Sequence, residues 1–92
     1  MIELAYTYIL KCSDDTYYTG WAKDLDNRLK AHNSGHGSKY TRARLPVSLI
    51  YYEHFESDNE AMKREVAIKR LSRKEKEELI KSNEKIRRTN HE

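Results

Sequence analysis

This chain of 92 residues lacks the features from which disulfide-bonded, membrane-spanning or multidomain proteins are built. Its one cysteine, Cys12, excludes a disulfide within the chain, and a lone thiol is ordinary in a reducing compartment. No segment approaches the roughly 20 consecutive apolar residues that cross a bilayer, and Met1–Tyr8 does not join a basic region to an apolar run. We therefore expect one domain that resides in the cytoplasm and has no membrane partner.

Acidic residues are absent from one long stretch, between Asn27 and Tyr52. The same stretch contains Arg28, Lys30, Lys39, Arg42 and Arg44, together with His32 and His36. A basic stretch without acids favours a polyanionic partner such as a nucleic acid. The alternative is a solvated positive face that binds nothing specific, and the net charge of +3 does not decide between the two.

Glycine and proline are also few, with three glycines and one proline in the chain. Two runs rich in aromatic and branched residues, Ala5–Cys12 and Tyr17–Ala22, flank the turn-forming cluster Ser13–Thr16, which predicts an antiparallel hairpin. Gly20 lies inside the second run and marks a bulge or the close approach of another backbone or a ligand. A third strand-forming run, Val47–Phe55, follows the only proline and predicts a third strand.

Helix signals fill the rest of the chain. Asp24 is an N-cap for a helix that ends near 33–35, and residues 35–46 form a loop or a short irregular helix. Capping boxes begin two further helices, at Ser57 with Glu60 and at Ser72 with Glu75. The predicted fold is a small α/β layer arrangement in the order strand, strand, helix, loop, strand, helix, helix. One domain is expected over 1–82, with a polar, disordered tail over 83–92.

The relative placement of Tyr8 and Tyr18 depends on the register of the hairpin. If Leu10 pairs with Tyr18, both phenols lie on one face of the sheet, whereas a slip of one residue separates them. A three-residue loop at Ser13–Asp15 suits the first register. Taken alone, two strand tyrosines are typical of half-buried sheet packing.

Arg28 and His32 are four residues apart and share one face of the first helix. A guanidinium there can hold a phosphate at two points, and an imidazole can move a proton. The alternative is the solvated side of an amphipathic helix. His32 and His36 also have the spacing of a helical zinc pair, but the helix is predicted to end between them, so we expect no zinc site.

Glu65 falls within the predicted apolar stripe of the third helix, which is formed by Ala61, Met62, Val66 and Ile68. A carboxylate in such a stripe requires a cation. Lys69, one turn later, would give a structural ion pair, and a divalent metal is the alternative. The pattern leaves both open.

Taken in order, these residues resemble the GIY-YIG nuclease domain. The matching motifs are Tyr6-Thr7-Tyr8, Tyr18-Thr19-Gly20, Arg28, His32 and Glu65. The resemblance extends from Ala5 to Ile80 and is closest to small stand-alone bacterial members, the YhbQ/YazA-like proteins. Tyr6, Thr7 and Thr19 depart from the glycine and isoleucines of the family name. The resemblance implies a three-stranded antiparallel sheet flanked by helices and a metal-dependent phosphodiesterase site.

The resemblance also implies roles for the site residues. Tyr8 and Tyr18 would be the motif tyrosines, one of which accepts a proton or orients the attacking water. Arg28 would stabilise charge on the phosphate, and His32 would assist proton transfer or position the substrate. Glu65 would hold a single Mg²⁺ or Mn²⁺, since magnesium is commonly bound by one carboxylate together with water and substrate phosphate.

The function implied is an endonuclease acting on DNA or RNA, in DNA repair or recombination. We expect phosphates to be gripped by Lys30, His36, Lys39, Tyr40, Arg42 and Arg44. One alternative is a nucleic-acid-binding module of the same fold with little or no hydrolysis, and another is a protein-interaction module that uses Ile50-Tyr51-Tyr52. We expect a monomer or weak dimer, with a separate targeting protein because no binding domain is appended.

Overall fold

In a computed structural model the described residues are 4–90, with the backbone alone described for 83–90. The elements are β1 (Ala5–Lys11), β2 (Tyr17–Ala22), α1 (Leu25–Asn33), α2 (Lys39–Arg42), β3 (Ser48–Phe55), α3 (Asp58–Lys69) and α4 (Arg73–Asn90). The predicted α/β fold and its order of elements are confirmed, and the segment predicted to be a loop or a short irregular helix contains α2.

Helix α4 extends beyond Ser82, where the sequence pattern placed its end. The expected tail over 83–92 falls largely on residues or side chains outside the described part of the chain, so the division at residue 82 stays a prediction. Across residues 4–90 no helix combines the length and the apolar character needed to cross a membrane.

The three strands form an antiparallel sheet in the order β2-β1-β3, with β1 at the centre. Leu10 lies opposite Tyr18, and Tyr8 lies opposite Gly20. Side chains alternate between the two faces of a strand, so this register places Tyr8 and Tyr18 on the same face. The register on which the shared site depended is therefore present.

The hairpin turn explains this register. The backbone N–H of Cys12 donates to the carbonyl of Thr16 (2.8 Å), which closes a three-residue loop from Ser13 to Asp15. Asp15 has a φ of +65°, the left-handed conformation that ends such loops and that Asp tolerates better than most residues. Local turn chemistry thus determines which tyrosines face each other.

The two faces of the sheet carry separate cores. On the α1 face, Leu25 and Leu29 of α1 pack against buried Tyr8 and Leu10. On the α3 face, Ile9 packs with Tyr51 of β3, with Ile68 of α3 and with Ile80 of α4. Thr7 also lies on the α3 face, where its hydroxyl donates to the carbonyl of Ala61 (2.7 Å).

Capping side chains begin the helices where the sequence predicted. Asp24 accepts from the N–H of Asn27 (3.1 Å), and Ser57 accepts from the N–H of Glu60 (3.2 Å). Ser72 and Glu75 form a reciprocal capping box, in which each side chain accepts from the other residue's N–H (3.1 and 2.9 Å). Each cap supplies an acceptor to an N–H that has no partner within its helix.

The predicted apolar stripe of α3 is wrong in part. Ala61 and Ile68 are fully buried, but Met62 is 37% exposed and Val66 is 47% exposed. Residues seven apart lie almost directly above each other on a helix, so α3 meets the sheet along a narrow seam. A three-stranded sheet is too small to cover a wider arc of this helix.

Candidate active site

Tyr8 occupies the central strand and is 1% exposed. Its phenol lies across Gly20 of β2: a Cβ at position 20 would lie 2.5 Å from the Tyr8 hydroxyl and 2.7 Å from its Cζ. No side chain fits in that space without displacing the ring. The sequence predicted a bulge or the close approach of a backbone or a ligand at Gly20, and the group that approaches is instead the Tyr8 side chain.

The Tyr8 hydroxyl ends a buried chain of polar groups that runs through α1 to α2. It hydrogen-bonds Nε2 of His32 (2.9 Å), and Nδ1 of His32 hydrogen-bonds Oγ1 of Thr41 (2.8 Å). Thr41 Oγ1 in turn contacts Oγ of Ser38 (2.9 Å). His32 and Thr41 are both fully buried. We call Tyr8, His32 and Thr41 the relay.

The loop between α1 and α2 closes tightly over the imidazole. A Cβ at Gly37 would overlap the His32 ring and lie 2.7 Å from the His32 Cα. Arg28 fastens this loop, because its Nη2 donates to the Gly37 carbonyl (3.0 Å). Gly37 is thus required for His32 in the same way as Gly20 is required for Tyr8.

Tyr18 completes the aromatic wall around His32. Its ring meets the imidazole edge-on, with centroids 5.2 Å apart, and stacks on Tyr40 at 6.0 Å and 24°. The guanidinium of Arg44 covers the Tyr40 ring at 3.9 Å. This ladder holds Tyr18 beside Tyr8, so the hairpin and α1 bring both motif tyrosines and His32 together.

Burial raises the pKa of the Tyr8 phenol above its ordinary value of 10. Hydrogen bonding to Arg28 and the positive charge of its guanidinium oppose that shift, whereas the charges of Tyr18 and Glu65 add to it. Tyr8 is therefore a neutral phenol near pH 7. Of these influences that of Glu65 is the smallest.

Burial lowers the pKa of His32, and the positive charge of Arg28 lowers it further. The imidazole is therefore neutral near pH 7, with one nitrogen donating and the other accepting. A neutral phenol bonded to a neutral imidazole is a pair between which a proton can move.

Glu65 lies on α3 with its side chain 19% exposed, and Lys69 Nζ is 3.4 Å from its Oε2. The ion pair that the sequence offered as one alternative is therefore present. Among the described residues Oε1 of Glu65 has no partner, and no group of three or more His, Cys, Asp or Glu is placed to hold a metal. A lone carboxylate fits magnesium, which retains waters and takes substrate phosphate, but does not fit a metal bound entirely by protein ligands.

The residues predicted to grip phosphate divide into two groups. Lys30, Lys39 and Arg42 are exposed and have no charged partner within residues 4–82, and exposed His36 bonds Ser34 Oγ (3.1 Å). Tyr40 and Arg44 are half-buried, and Arg44 donates from Nε to Asp14 (3.0 Å). Lys30, Lys39 and Arg42 therefore offer positive charge to a ligand, whereas Tyr40 and Arg44 support Tyr18.

Three residues of the site were not found from the sequence: Ser38, Thr41 and Gly37. Ser38 carried a usable signal, since it is the N-cap of α2 and accepts from the N–H of Thr41 (3.1 Å). Thr41 carried none, because a threonine in an irregular segment usually faces solvent. Gly37 indicated only a loop.

Comparison with known proteins shows the family to which the chain belongs. Residues 4–78 match the family model described as the GIY-YIG catalytic domain. The UPF0213 protein CPE1444 of Clostridium perfringens is 53% identical over 87 residues, covering 95% of this chain and 92% of that protein.

Two solved structures have the same fold. The solution NMR structure of the UPF0213 protein BH0048 from Bacillus halodurans matches with a TM-score of 0.56 at 47% identity, covering 85% of this chain and 83% of that one. The solution NMR structure of the protein EF2693 from E. faecalis matches with a TM-score of 0.60 at 43% identity, covering 88% and 86%. This chain therefore belongs to the GIY-YIG family and has UPF0213 proteins as its relatives.

Proposed function

We propose that this chain hydrolyses phosphodiester bonds in nucleic acids at the relay, with one divalent metal ion held by Glu65. The observation that carries the proposal is the hydrogen bond between the buried phenol of Tyr8 and the buried imidazole of His32. A core that served packing alone would need neither group. Membership in a family named for a catalytic domain supports the same conclusion.

The proton from the attacking water moves along the relay. As water attacks phosphorus, the bond from phosphorus to the leaving sugar oxygen breaks, and that oxygen takes a proton from bulk water. The proton of the attacking water passes to the Tyr8 oxygen while the phenol proton passes to Nε2 of His32, which becomes imidazolium. For Nε2 to accept, Nδ1 must carry hydrogen and donate to Thr41 Oγ1. The Thr41 hydroxyl then donates to the Ser38 carbonyl (3.3 Å), so every polar atom of the relay has a partner.

Arg28 serves the phosphate. Its Nη2 donates to the Gly37 carbonyl and its guanidinium also hydrogen-bonds the Tyr8 phenol, which leaves the remaining N–H groups for an anion. A guanidinium held by the protein stabilises charge that develops on the phosphate at little reorganisation cost. Lys30, Lys39 and Arg42 add contacts to the nucleic-acid backbone that do not depend on base sequence.

Glu65 would hold the metal, which when bound acts as a Lewis acid that neutralises charge on the phosphate. Lys69 is the residue that competes for this carboxylate, because its ammonium lies 3.4 Å from Oε2. Metal binding is therefore expected to weaken the ion pair.

A second candidate is a nucleic-acid-binding module of the same fold without hydrolysis. The observation that favours it is the exposure of Tyr8, which at 1% leaves little of the phenol open to water. Salt-sensitive binding with no cleavage in Mg²⁺ or Mn²⁺ would establish this second candidate in place of the first.

The proposal is tested by comparing nucleic-acid cleavage by the original chain and by the Glu65→Gln variant. Purified chain is incubated with single-stranded, duplex and branched DNA and with RNA, in Mg²⁺, Mn²⁺ or chelator. We expect the substitution to lower metal-dependent cleavage by about 100-fold or more, because the only proposed protein ligand is lost. Glu60→Gln, an exposed carboxylate on the same helix, is the matched control and should cleave normally.

A further inference from the structure

A groove of about 500 Å³ opens on the α1 face of the sheet, where the N-terminus of α1 leaves β1 and β3 uncovered. Its floor is formed by Tyr6 and Tyr52, whose rings meet edge-on with centroids 6.1 Å apart. His54 lies opposite Tyr6 in the sheet and completes the aromatic lining. The volume lies within the range of sites that bind small molecules or single groups of larger ones.

The groove differs in composition from the hydrophobic cores. Tyr52 is 37% exposed and Tyr6 is half-buried, so these rings are available at the surface. Aromatic side chains on neighbouring strands of an open sheet stack unpaired bases of single-stranded nucleic acids. A base within a duplex is already stacked on its neighbours and cannot enter such a groove.

The charges on the rim suit a base better than a phosphate. Asp24 uses both carboxylate oxygens on Asn27, one on its N–H and one on its side chain (3.1 and 2.8 Å). Lys23 is paired with Asp58 at 3.3 Å. Within residues 4–82 Asp26 and His54 have no hydrogen-bond partner, which leaves one acceptor and one imidazole to meet the amino groups and ring nitrogens at the edge of a base.

The groove lies beside the relay. Tyr6 and Tyr8 point to the same face of β1, two residues apart, which is about 7 Å along a strand. A base on Tyr6 is therefore placed close to the position of a phosphate at Tyr8. We propose that this groove binds one unpaired base of the nucleic acid, next to the bond that is cleaved. The position of the base next to a cleaved bond rests on the proposed function, whereas the binding of the base does not.

Base binding is measured in chelator, so that no cleavage occurs. The probe is a single-stranded oligonucleotide carrying one fluorescent 2-aminopurine, compared with the same strand annealed to its complement. We expect Tyr52→Ala and Tyr52→Leu to weaken single-strand binding by about tenfold and Tyr52→Phe to retain it, since stacking needs the ring. Duplex binding should remain within about twofold of the original, because paired bases do not use the groove.

Phe55→Ala is the matched control, because Phe55 is an aromatic residue on the same strand that faces α3. Tyr52→Leu keeps an apolar side chain in place, so its loss of binding separates stacking from packing. Unchanged single-strand binding by Tyr52→Leu would overturn the proposal and leave the groove to a protein partner. Equal losses for single strand and duplex would overturn it as well. Absence of cleavage by the unmodified chain would refute the nuclease function without changing this result.

Discussion

Two tyrosines are buried in adjoining strands of one sheet, and their partners differ. On the α1 face, Tyr8 bonds the neutral imidazole of His32. On the α3 face, Tyr51 donates to the carboxylate of Glu53, which Arg64 holds through Nε at 3.0 Å. Burial and the hydrogen bond to Glu53 raise the pKa of Tyr51. A paired carboxylate holds the phenol proton in place, whereas a neutral imidazole can accept one.

The same contrast extends to the surroundings. On the α3 face, Ile9, Ile68 and Ile80 pack with Tyr51, so that phenol is bounded by aliphatic side chains. The α1 face buries an imidazole and a threonine hydroxyl completely, which is tolerable only because each polar atom of the relay has a partner. Stability explains the packing on the α3 face without reference to a substrate. It does not explain why the α1 face buries polar groups.

Tyr8→Phe and Tyr51→Phe should give the largest difference in cleavage between the two faces of the sheet. We expect Tyr8→Phe to reduce metal-dependent cleavage by about 100-fold or more, because proton transfer typically contributes 10²–10⁴-fold. Tyr51→Phe should retain cleavage and lower the free energy of unfolding by about 1–2 kcal/mol, since Glu53 loses a buried donor. Single-turnover rates and chemical denaturation measure the two effects. Equal loss of cleavage in both variants would show that catalysis does not depend on the Tyr8 hydroxyl in particular.

Thr41→Val tests whether the relay needs its far end. The change is nearly isosteric but leaves Nδ1 of His32 without a partner, so we expect a loss of about 1–3 kcal/mol in the free energy of unfolding. Thr41→Ser should restore most of it. The ¹⁵N shifts of the His32 ring report its tautomer, and we expect a mixture of tautomers in Thr41→Val. An unchanged tautomer there would mean that Thr41 only packs against the ring.

The pH dependence should arise mainly on the α1 face. The folded-state pKa of His32 is lowered, so the unfolded chain takes up a proton first as pH falls below about 6.5. The contribution of His32 to stability is therefore complete above pH 6.5 and declines below it. Cleavage declines at lower pH, where His32 of the folded chain takes up a proton, because imidazolium cannot accept another. Denaturation between pH 5 and 7.5 measures the slope, which His32→Gln should reduce.

Local rules account for what the sequence predicted correctly. The register that brings Tyr18 beside Tyr8 follows from a three-residue turn, and the starts of α3 and α4 follow from Ser57 and Ser72. Each of these features is determined by residues within a few positions of one another. Gly20 was also recognised as a special position, because a glycine weakens a strand unless a neighbouring group needs the space.

Tertiary contacts account for what the sequence did not predict. Thr41 meets His32 only because the loop at Gly37 folds back over α1, and no local signal encodes that path. The exposure of Val66 depends on the width of the sheet beneath α3 rather than on the periodicity of the helix. The assignment of Glu65 to one site with Tyr8 came from the family resemblance and not from any spacing in the chain.

Thr19→Val should give the smallest change in the free energy of unfolding, and in the opposite direction to the change from Thr41→Val. Thr19 is 3% exposed on the α3 face, and its hydroxyl is the only buried side-chain polar atom without a partner in the described part of the chain. Valine replaces that hydroxyl with a methyl group of similar volume, so we expect the free energy of unfolding to rise by about 1 kcal/mol with cleavage unchanged. Chemical denaturation of both threonine variants, side by side, measures the contrast. If both substitutions destabilise the chain equally, the distinction between a satisfied relay and an unsatisfied hydroxyl has no energetic consequence, and burial alone determines the loss.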